Sequence, residues 1–110
     1  MLRLHQKLAQ GKWHTLTLME QLGNIGSEVE RAFKGKEKGD ARAFTGAADR
    51  ALELFDLTIT DPRLKGRLRE IVRLREVVCD FLFGQNQYRS SPAQLRQDFL
   101  YYGIAARQRS

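Results

Sequence analysis

The sequence predicts an all-α protein, an antiparallel four-helix bundle preceded by a short N-terminal arm. Apolar residues recur at intervals of three and four along four segments, and capping residues or prolines stand where these segments begin. No stretch alternates apolar and polar residues as a strand does, and short links favour antiparallel neighbours. The 110 residues suffice for one core. We expect residues 1–15 to form the arm and residues 16–110 the bundle.

Capping residues mark the first two helices. Thr17 and Glu20 have the spacing of a capping box, in which a hydroxyl and a carboxylate each satisfy a free backbone N–H. Asp40 follows a glycine, an order that ends one helix and starts the next. The sequence therefore predicts helices over about 17–38 and about 41–59.

Prolines mark the last two helices. Asp61 precedes Pro62, so that an aspartate cap and a first-turn proline predict a helix over about 62–83. Ser91 and Pro92 open a fourth helix in the same way, with Gln94 placed to complete a capping box. The expected core stripe of the third helix is Leu64, Leu68, Ile71, Val72, Val78, Cys79 and Leu82.

The third predicted helix is strongly basic. Its cations are Arg63, Lys65, Arg67, Arg69, Arg73 and Arg75. At 100° per residue, Lys65, Arg69 and Arg73 fall within about 80° of one another and form a cationic stripe. A phosphate backbone is a natural counterpart, because each neutralised phosphate releases a condensed counterion. A solvated helix face is the other interpretation of such a charge run.

A nucleic-acid surface is the first functional hypothesis. Its candidate residues are Arg63, Lys65, Arg67, Arg69, Arg73, Arg96 and Arg107. The formal net charge of +6 is consistent with a polyanionic partner. The sequence has neither a helix-turn-helix signature nor an aromatic RNA-binding motif, so we expect recognition of phosphates without sequence preference.

Arg75 is expected to point into the apolar stripe of its helix. A guanidinium there needs a carboxylate or a ligand, because leaving it unpaired costs several kcal/mol. The candidate carboxylates are Glu28, Glu30, Asp49, Glu53 and Asp56. A structural ion pair, a head group that reaches solvent and an anion or subunit-interface site are the three interpretations.

Two groups of residues are candidates for an interface. Gly23 and Gly26 lie inside the first helix, where each costs roughly 1 kcal/mol relative to alanine, and either a neighbouring helix or a partner uses the missing side chains. Leu100, Tyr101 and Ile104 form a second apolar set on the fourth helix. A helix that is apolar on two sides is either deeply buried or joins another chain, so we expect a homo-oligomer.

The sequence offers little for catalysis. Both histidines, His5 and His14, lie in the arm, and the single cysteine, Cys79, lies on an apolar face. No spacing of histidines and cysteines suggests a metal site, so we expect no metal, no cofactor and no enzymatic activity. The sequence has neither a signal peptide nor an apolar run long enough for a membrane, which leads us to expect a cytoplasmic protein without membrane contact.

Three hypotheses follow: a nucleic-acid-binding accessory protein, an adaptor or structural subunit of a larger assembly, and a small-molecule or catalytic bundle. In helix count, size and basicity, residues 17–107 resemble the accessory variability determinants of diversity-generating retroelements, and also the four-helix proteins of ribosomal-RNA intervening sequences. The first resemblance implies a basic, oligomeric partner of a nucleic-acid enzyme such as a reverse transcriptase. No motif matches residue by residue, so the resemblance assigns no site residues.

Overall fold

Helices make up most of the chain. The computed structural model describes residues 11–109, with side chains described for residues 11–101. The long α-helices of this part are α1 (Leu18–Glu37), α2 (Ala41–Ile59), α3 (Leu68–Phe83) and α4 (Pro92–Arg109), and a 3₁₀ helix spans Pro62–Arg67. Residues 11–13 are also helical, and no strand forms between residues 11 and 109. The predicted all-α class is confirmed.

The caps predicted for α1 and α2 are present. Thr17 Oγ1 accepts a hydrogen bond from the Glu20 backbone N–H at 3.1 Å, and Glu20 Oε1 accepts one from the Thr17 N–H at 2.9 Å. Asp40 accepts from the Ala43 N–H at 3.0 Å. Gly39 between these helices has φ +70°, a conformation that glycine adopts without steric cost. Both helices therefore begin and end within a residue of the predicted positions.

The predicted helix over 62–83 is not one continuous α-helix. Asp61 caps its start by accepting from the Arg63 N–H at 3.0 Å, but the chain then forms a 3₁₀ helix. Leu64 departs from helical geometry, with φ −103° and ψ 16°, and α3 starts only at Leu68. The rotation of 100° per residue therefore does not extend from Lys65 to Arg69, so the predicted stripe of Lys65, Arg69 and Arg73 does not lie along one continuous α-helix.

The start of α4 keeps half of its predicted capping box. Ser91 Oγ accepts a hydrogen bond from the Gln94 N–H at 3.0 Å, as expected. The side-chain amide of Gln94 donates to Asp98 Oδ1, one turn further along the helix, at 3.1 Å. Ser91 therefore caps the helix through its own side chain only. The Gln94 side chain instead makes an i,i+4 hydrogen bond on the exposed side of α4.

One apolar core joins the helices. Its buried members include Leu22, Ile25, Val29 and Ala32 of α1, Ala47, Ala48, Ala51 and Phe55 of α2, Ile71, Leu74, Val78 and Leu82 of α3, and Leu95 and Phe99 of α4. Trp13, which the sequence places in the arm, is also buried in this core and donates from its indole N–H to Thr58 Oγ1 at 2.9 Å. Val72, which was expected in the core, is 37% exposed, whereas Leu74 is buried.

Gly35 allows the closest helix approach. The most extensive helix contacts are those between α1 and α2, followed by those between α1 and α4. A Cβ atom at Gly35 would lie 2.7 Å from the Phe44 backbone nitrogen, so the two helices meet here without room for a side chain. At Gly26 a Cβ would lie an ordinary 3.5 Å from the Phe99 ring, and at Gly23 it would meet no atom within 4 Å.

Alanine substitutions should therefore have opposite effects at Gly23 and Gly35. Gly23→Ala removes a helix-interior glycine without a clash and should raise the free energy of unfolding by about 0.5–1 kcal/mol. Gly35→Ala forces α1 away from α2 and should lower it by about 1–3 kcal/mol. Urea denaturation of both variants measures this. Equal effects of the two substitutions would contradict the helix approach described at Gly35.

Candidate nucleic-acid interface

Arg63 forms an ion pair with the buried carboxylate of Asp61. The Asp61 side chain is fully buried, and it accepts hydrogen bonds from Arg63 Nε at 3.0 Å and from Gln21 Nε2 at 3.1 Å. Arg63 also donates to the Leu16 carbonyl oxygen. A buried carboxylate is stable only when it is paired and hydrogen-bonded. Arg63 therefore stabilises the fold where α1, α2 and the 3₁₀ helix meet.

Hydrogen bonding also fixes the ionisation of Asp61. The Arg63 guanidinium, more than any other group, lowers the pKa of this carboxyl to about 2, and the Gln21 amide acts in the same direction. Burial acts in the opposite direction, because it disfavours the charged form. Asp61 therefore stays ionised well into acid, and Arg63 stays bound to it.

Two further candidate arginines also form ion pairs. Arg75 Nε lies 3.2 Å from Asp56 Oδ1, one of the five carboxylates expected as its partner. Its side chain is one-third exposed, since Leu74 occupies the buried stripe. Arg96 Nε donates to Glu30 Oε1 at 2.8 Å, and so joins α4 to α1.

The remaining cations of this region differ in their exposure. Arg67 is half-buried in a shallow recess beside Leu18 and Leu22 of α1, where it faces the body of the protein. Lys65, Arg69 and Arg73 are exposed, and none of them forms an ion pair with a carboxylate of residues 11–101. Within the described residues, therefore, no carboxylate forms an ion pair with these three cations.

Tyr88 contacts one of these exposed cations, Arg73. The Arg73 guanidinium carbon lies 4.9 Å from the centroid of the Tyr88 ring, which is the geometry of a cation–π contact. Tyr88 is itself 45% exposed, and its neighbour Arg89 is exposed as well. We call the set Lys65, Arg69, Arg73, Tyr88 and Arg89 the basic surface. Tyr88 and Arg89 were not among the residues that the sequence analysis selected.

Asp80 and Asn86 fix the loop that carries Tyr88 and Arg89. The Asp80 carboxylate accepts hydrogen bonds from the backbone N–H groups of Gln87 at 2.8 Å and Tyr88 at 3.0 Å. The Asn86 side chain donates to the Ser90 carbonyl and accepts from the Ser90 N–H, both at 2.8 Å. These bonds hold the Gln87–Tyr88 backbone against the end of α3, and they leave the Asp80 carboxylate as one hydrogen-bonded negative charge near the loop.

A groove between α1 and α4 brings the predicted interface residues together. Its volume is about 320 Å³, and its lining is mostly apolar. It is lined by Met19, Leu22, Gly23, Gly26, Val29, Glu30, Phe33, Phe81, Pro92, Leu95, Arg96, Phe99 and Leu100. Gly23, Gly26 and Leu100 thus share one site, and Tyr101 stands next to it at 67% exposure. The side chains of Ile104 and Arg107 lie outside the described residues, as do residues 1–10 of the arm.

The described residues offer no clear catalytic centre. Among the side chains of residues 11–101, no three His, Cys, Asp or Glu side chains lie close enough to hold a metal ion. Burial raises the pKa of the half-buried Cys79 thiol, so the thiol form is favoured over the reactive thiolate. His14 Nε2 lies 2.9 Å from the Leu57 carbonyl oxygen, a contact that ties the start of the chain to α2. No described helix has both the length and the hydropathy needed to cross a bilayer.

Comparison with known proteins adds no relative. No family model matches the chain, and neither a curated protein nor a solved structure is significantly similar to it.

The paired state of Asp61 predicts how stability depends on pH. A carboxyl with an ordinary pKa of 3.8 when unfolded and about 2 when folded stabilises the protein by about 2 kcal/mol above pH 4. That contribution disappears as the pH falls from about 4 to about 2. Asp61→Asn should lower the free energy of unfolding by a similar amount at pH 7 and by much less at pH 2.

Urea denaturation of both proteins at several pH values measures this contribution. The difference between them isolates Asp61, because the other carboxyl groups titrate in both. A difference that stays constant between pH 7 and pH 2 would contradict the role assigned to the Arg63 pair.

Proposed function

We propose that this protein is a non-enzymatic, nucleic-acid-binding accessory protein that holds phosphates on its basic surface. The cations that carry this proposal are Lys65, Arg69 and Arg73, which are exposed and form no ion pair with a carboxylate of residues 11–101. Each cation that meets a phosphate releases a counterion, so binding needs neither sequence recognition nor a shaped pocket. Arg63 and Arg96 contribute less than the sequence suggested, because Asp61 and Glu30 hold them.

Loop residues extend this cationic region beyond α3. Arg89 adds a fourth exposed cation, and the hydrogen bonds to Asp80 hold its loop against the end of α3. Glu76 is an exposed acid one turn after Arg73, and it reduces the local positive potential without cancelling it. The proposed partner is RNA or DNA, and the proposed location is the cytoplasm.

The proposal includes an antiparallel four-helix bundle as the rigid support. Gly35 near the end of α1 meets Phe44 near the start of α2, while Thr58 near the end of α2 bonds to Trp13, ahead of α1. Lys36 donates to the Leu82 carbonyl at 3.1 Å, which brings the ends of α1 and α3 together. These contacts support an up-down-up order of the first three helices.

Contacts between α4 and α1 extend the same order. Arg96 meets Glu30, and Phe99, one turn later in α4, meets Gly26, one turn earlier in α1. Residue numbers thus rise along one helix as they fall along the other, as antiparallel neighbours require. A partnership with a nucleic-acid-processing enzyme such as a reverse transcriptase belongs to the proposal only through the resemblance to retroelement accessory proteins.

The groove supports a second candidate function, self-association within a larger assembly. Leu100 lines the groove and is 57% exposed, and Tyr101 beside it is more exposed still. The face thus offers both an apolar groove and an exposed apolar side chain, Leu100, to a second copy of that groove. Such a self-complementary patch is what a two-fold dimer needs, so we propose a second copy of the chain as its occupant.

Charge reversal tests the nucleic-acid proposal. Binding of the wild-type protein to a single-stranded oligonucleotide should weaken with salt, with a slope of about −3 in log K against log salt for four phosphate contacts. Replacing Lys65, Arg69 and Arg73 with glutamate should reduce the affinity at least a hundred-fold and flatten the slope. Circular dichroism should show unchanged helicity, because all three side chains are exposed.

A matched control separates this surface from net charge alone. Lys34, Lys38 and Arg42 are exposed around the link between α1 and α2, and their replacement with glutamate changes the net charge equally. This control variant should keep most of the wild-type affinity. The separate substitution Glu76→Gln should raise the affinity above that of the wild-type protein. Equal losses in the two triple variants would show that the overall charge binds and the basic surface does not.

Leu100 provides the test of self-association. The mass measured by sedimentation equilibrium should rise with the concentration of wild-type protein. Leu100→Glu should keep the protein monomeric, because it removes the exposed apolar side chain and places on the groove a charge that is costly to desolvate. Val72→Glu, at an exposed apolar residue outside the groove lining, is the control and should associate as wild type. A monomeric wild-type protein at all concentrations would reject a second copy as the occupant.

A further inference from the structure

The Tyr88 ring is fixed by its backbone and by Arg73. Its backbone N–H donates to Asp80 Oδ2 at 3.0 Å, and the Arg73 guanidinium lies 4.9 Å from the ring centroid. Nearly half of the side chain remains exposed. A large ring with few rotatable bonds that is already held in place loses little conformational entropy when another planar group packs on it.

Arg89 carries backbone strain beside this ring. Its φ is +53°, a left-handed conformation that costs a non-glycine residue free energy. The Arg89 N–H donates to the Asn86 carbonyl at 2.9 Å, and the Asn86 side chain closes the loop onto Ser90, so the strained conformation is held in place. Glycine would remove the strain, but the chain has a long cationic side chain here. Residues held in unfavourable conformations are concentrated at functional sites.

We propose that Tyr88 is a base-stacking subsite, and that the nucleic acid is single-stranded where it crosses the basic surface. An unpaired base stacks on the Tyr88 ring opposite Arg73, while Arg69, Arg73 and Arg89 hold the flanking phosphates. Stacking on an aromatic ring tolerates every base, which agrees with binding without sequence preference. A base inside a duplex is covered on both faces by its neighbours, so it does not reach the ring. This inference rests on the proposed function and adds a strand preference to it.

Substitutions at Tyr88 separate stacking from phosphate binding. Fluorescence anisotropy would measure the affinity for a labelled oligothymidine and for a duplex of equal length. Tyr88→Leu should weaken single-strand binding about ten-fold, in the range known for the loss of one stacked base, and should change duplex binding less than two-fold. The salt slope should stay the same, because no phosphate contact is lost. Tyr88→Phe keeps the ring and should bind as wild type.

Phe83 supplies the matched aromatic control. It is 52% exposed and packs edge-on against Phe44, so Phe83→Leu removes an exposed ring that the proposal does not use. This variant should keep its single-strand affinity. An equal loss in Phe83→Leu and Tyr88→Leu, or an equal loss of single-strand and duplex binding in Tyr88→Leu, would overturn the stacking subsite.

Arg89→Gly tests the strained loop position. It should raise the melting temperature by relieving the left-handed strain, and it should weaken oligonucleotide binding several-fold by removing a cation. If the Arg89→Gly protein is more stable and binds the oligonucleotide as tightly as wild type, Arg89 does not contribute to the subsite.

The two proposals fail in different ways. Salt-dependent binding that is lost on charge reversal but unchanged in Tyr88→Leu would overturn the stacking subsite and keep the phosphate proposal. An absence of salt-dependent binding in the wild-type protein would overturn both.

Discussion

The buried carboxylate of Asp61 is the constraint on which the rest of the structure depends. A charge removed from water has to be neutralised by groups in direct contact, and the nearest cation along the chain is Arg63. Gln21 supplies a further donor from α1, so one carboxylate ties the start of α1 to the end of α2 and to the 3₁₀ helix. A short 3₁₀ segment follows in place of a longer α3, and Arg67 packs beside α1.

Ion pairs distinguish several arginines of the described residues from the cations of the basic surface. Arginines that meet a carboxylate act within the fold: Arg31 and Arg50 bind the nearly buried Glu28, Arg63 binds Asp61, Arg75 binds Asp56, and Arg96 binds Glu30. Those of the basic surface meet none among the described residues. Asp80 caps the loop that carries Tyr88, because its carboxylate accepts hydrogen bonds from the backbone N–H groups of Gln87 and Tyr88. The same hydrogen bonds thus position an exposed ring beside Arg73.

Local sequence determines most of the helical structure, and it was therefore predictable. Thr17 and Asp40 act on backbone groups within three residues, and such short-range hydrogen bonds can be recognised from spacing alone. Arg75 could also be recognised as a residue in need of a carboxylate. The interruption at Leu64 was missed because a helical wheel assumes a constant rotation, whereas the 3₁₀ geometry changes it.

Long-range contacts explain the other differences between sequence and structure. Gly35 has no local signature, and only the approach of the Phe44 backbone reveals its role. Trp13 joins the core because Thr58, far along the chain, accepts its indole N–H. The contact of Arg73 with Tyr88 spans a helix end and a loop, so periodicity within one helix does not indicate it. The available signal for that loop was an aspartate near the end of α3 followed by Asn86, both of them residues that bind backbone N–H groups.

The most direct test of the account is to map the surface that a nucleic acid contacts. Amide chemical shifts of the ¹⁵N-labelled protein would be followed by NMR during titration with a single strand of about ten nucleotides, a length within the range that single-strand-binding domains cover. The account predicts that the largest changes fall on residues 65–73 and 86–89, with small changes along the groove between α1 and α4. Changes centred on that groove, or spread evenly over every exposed cation, would contradict it.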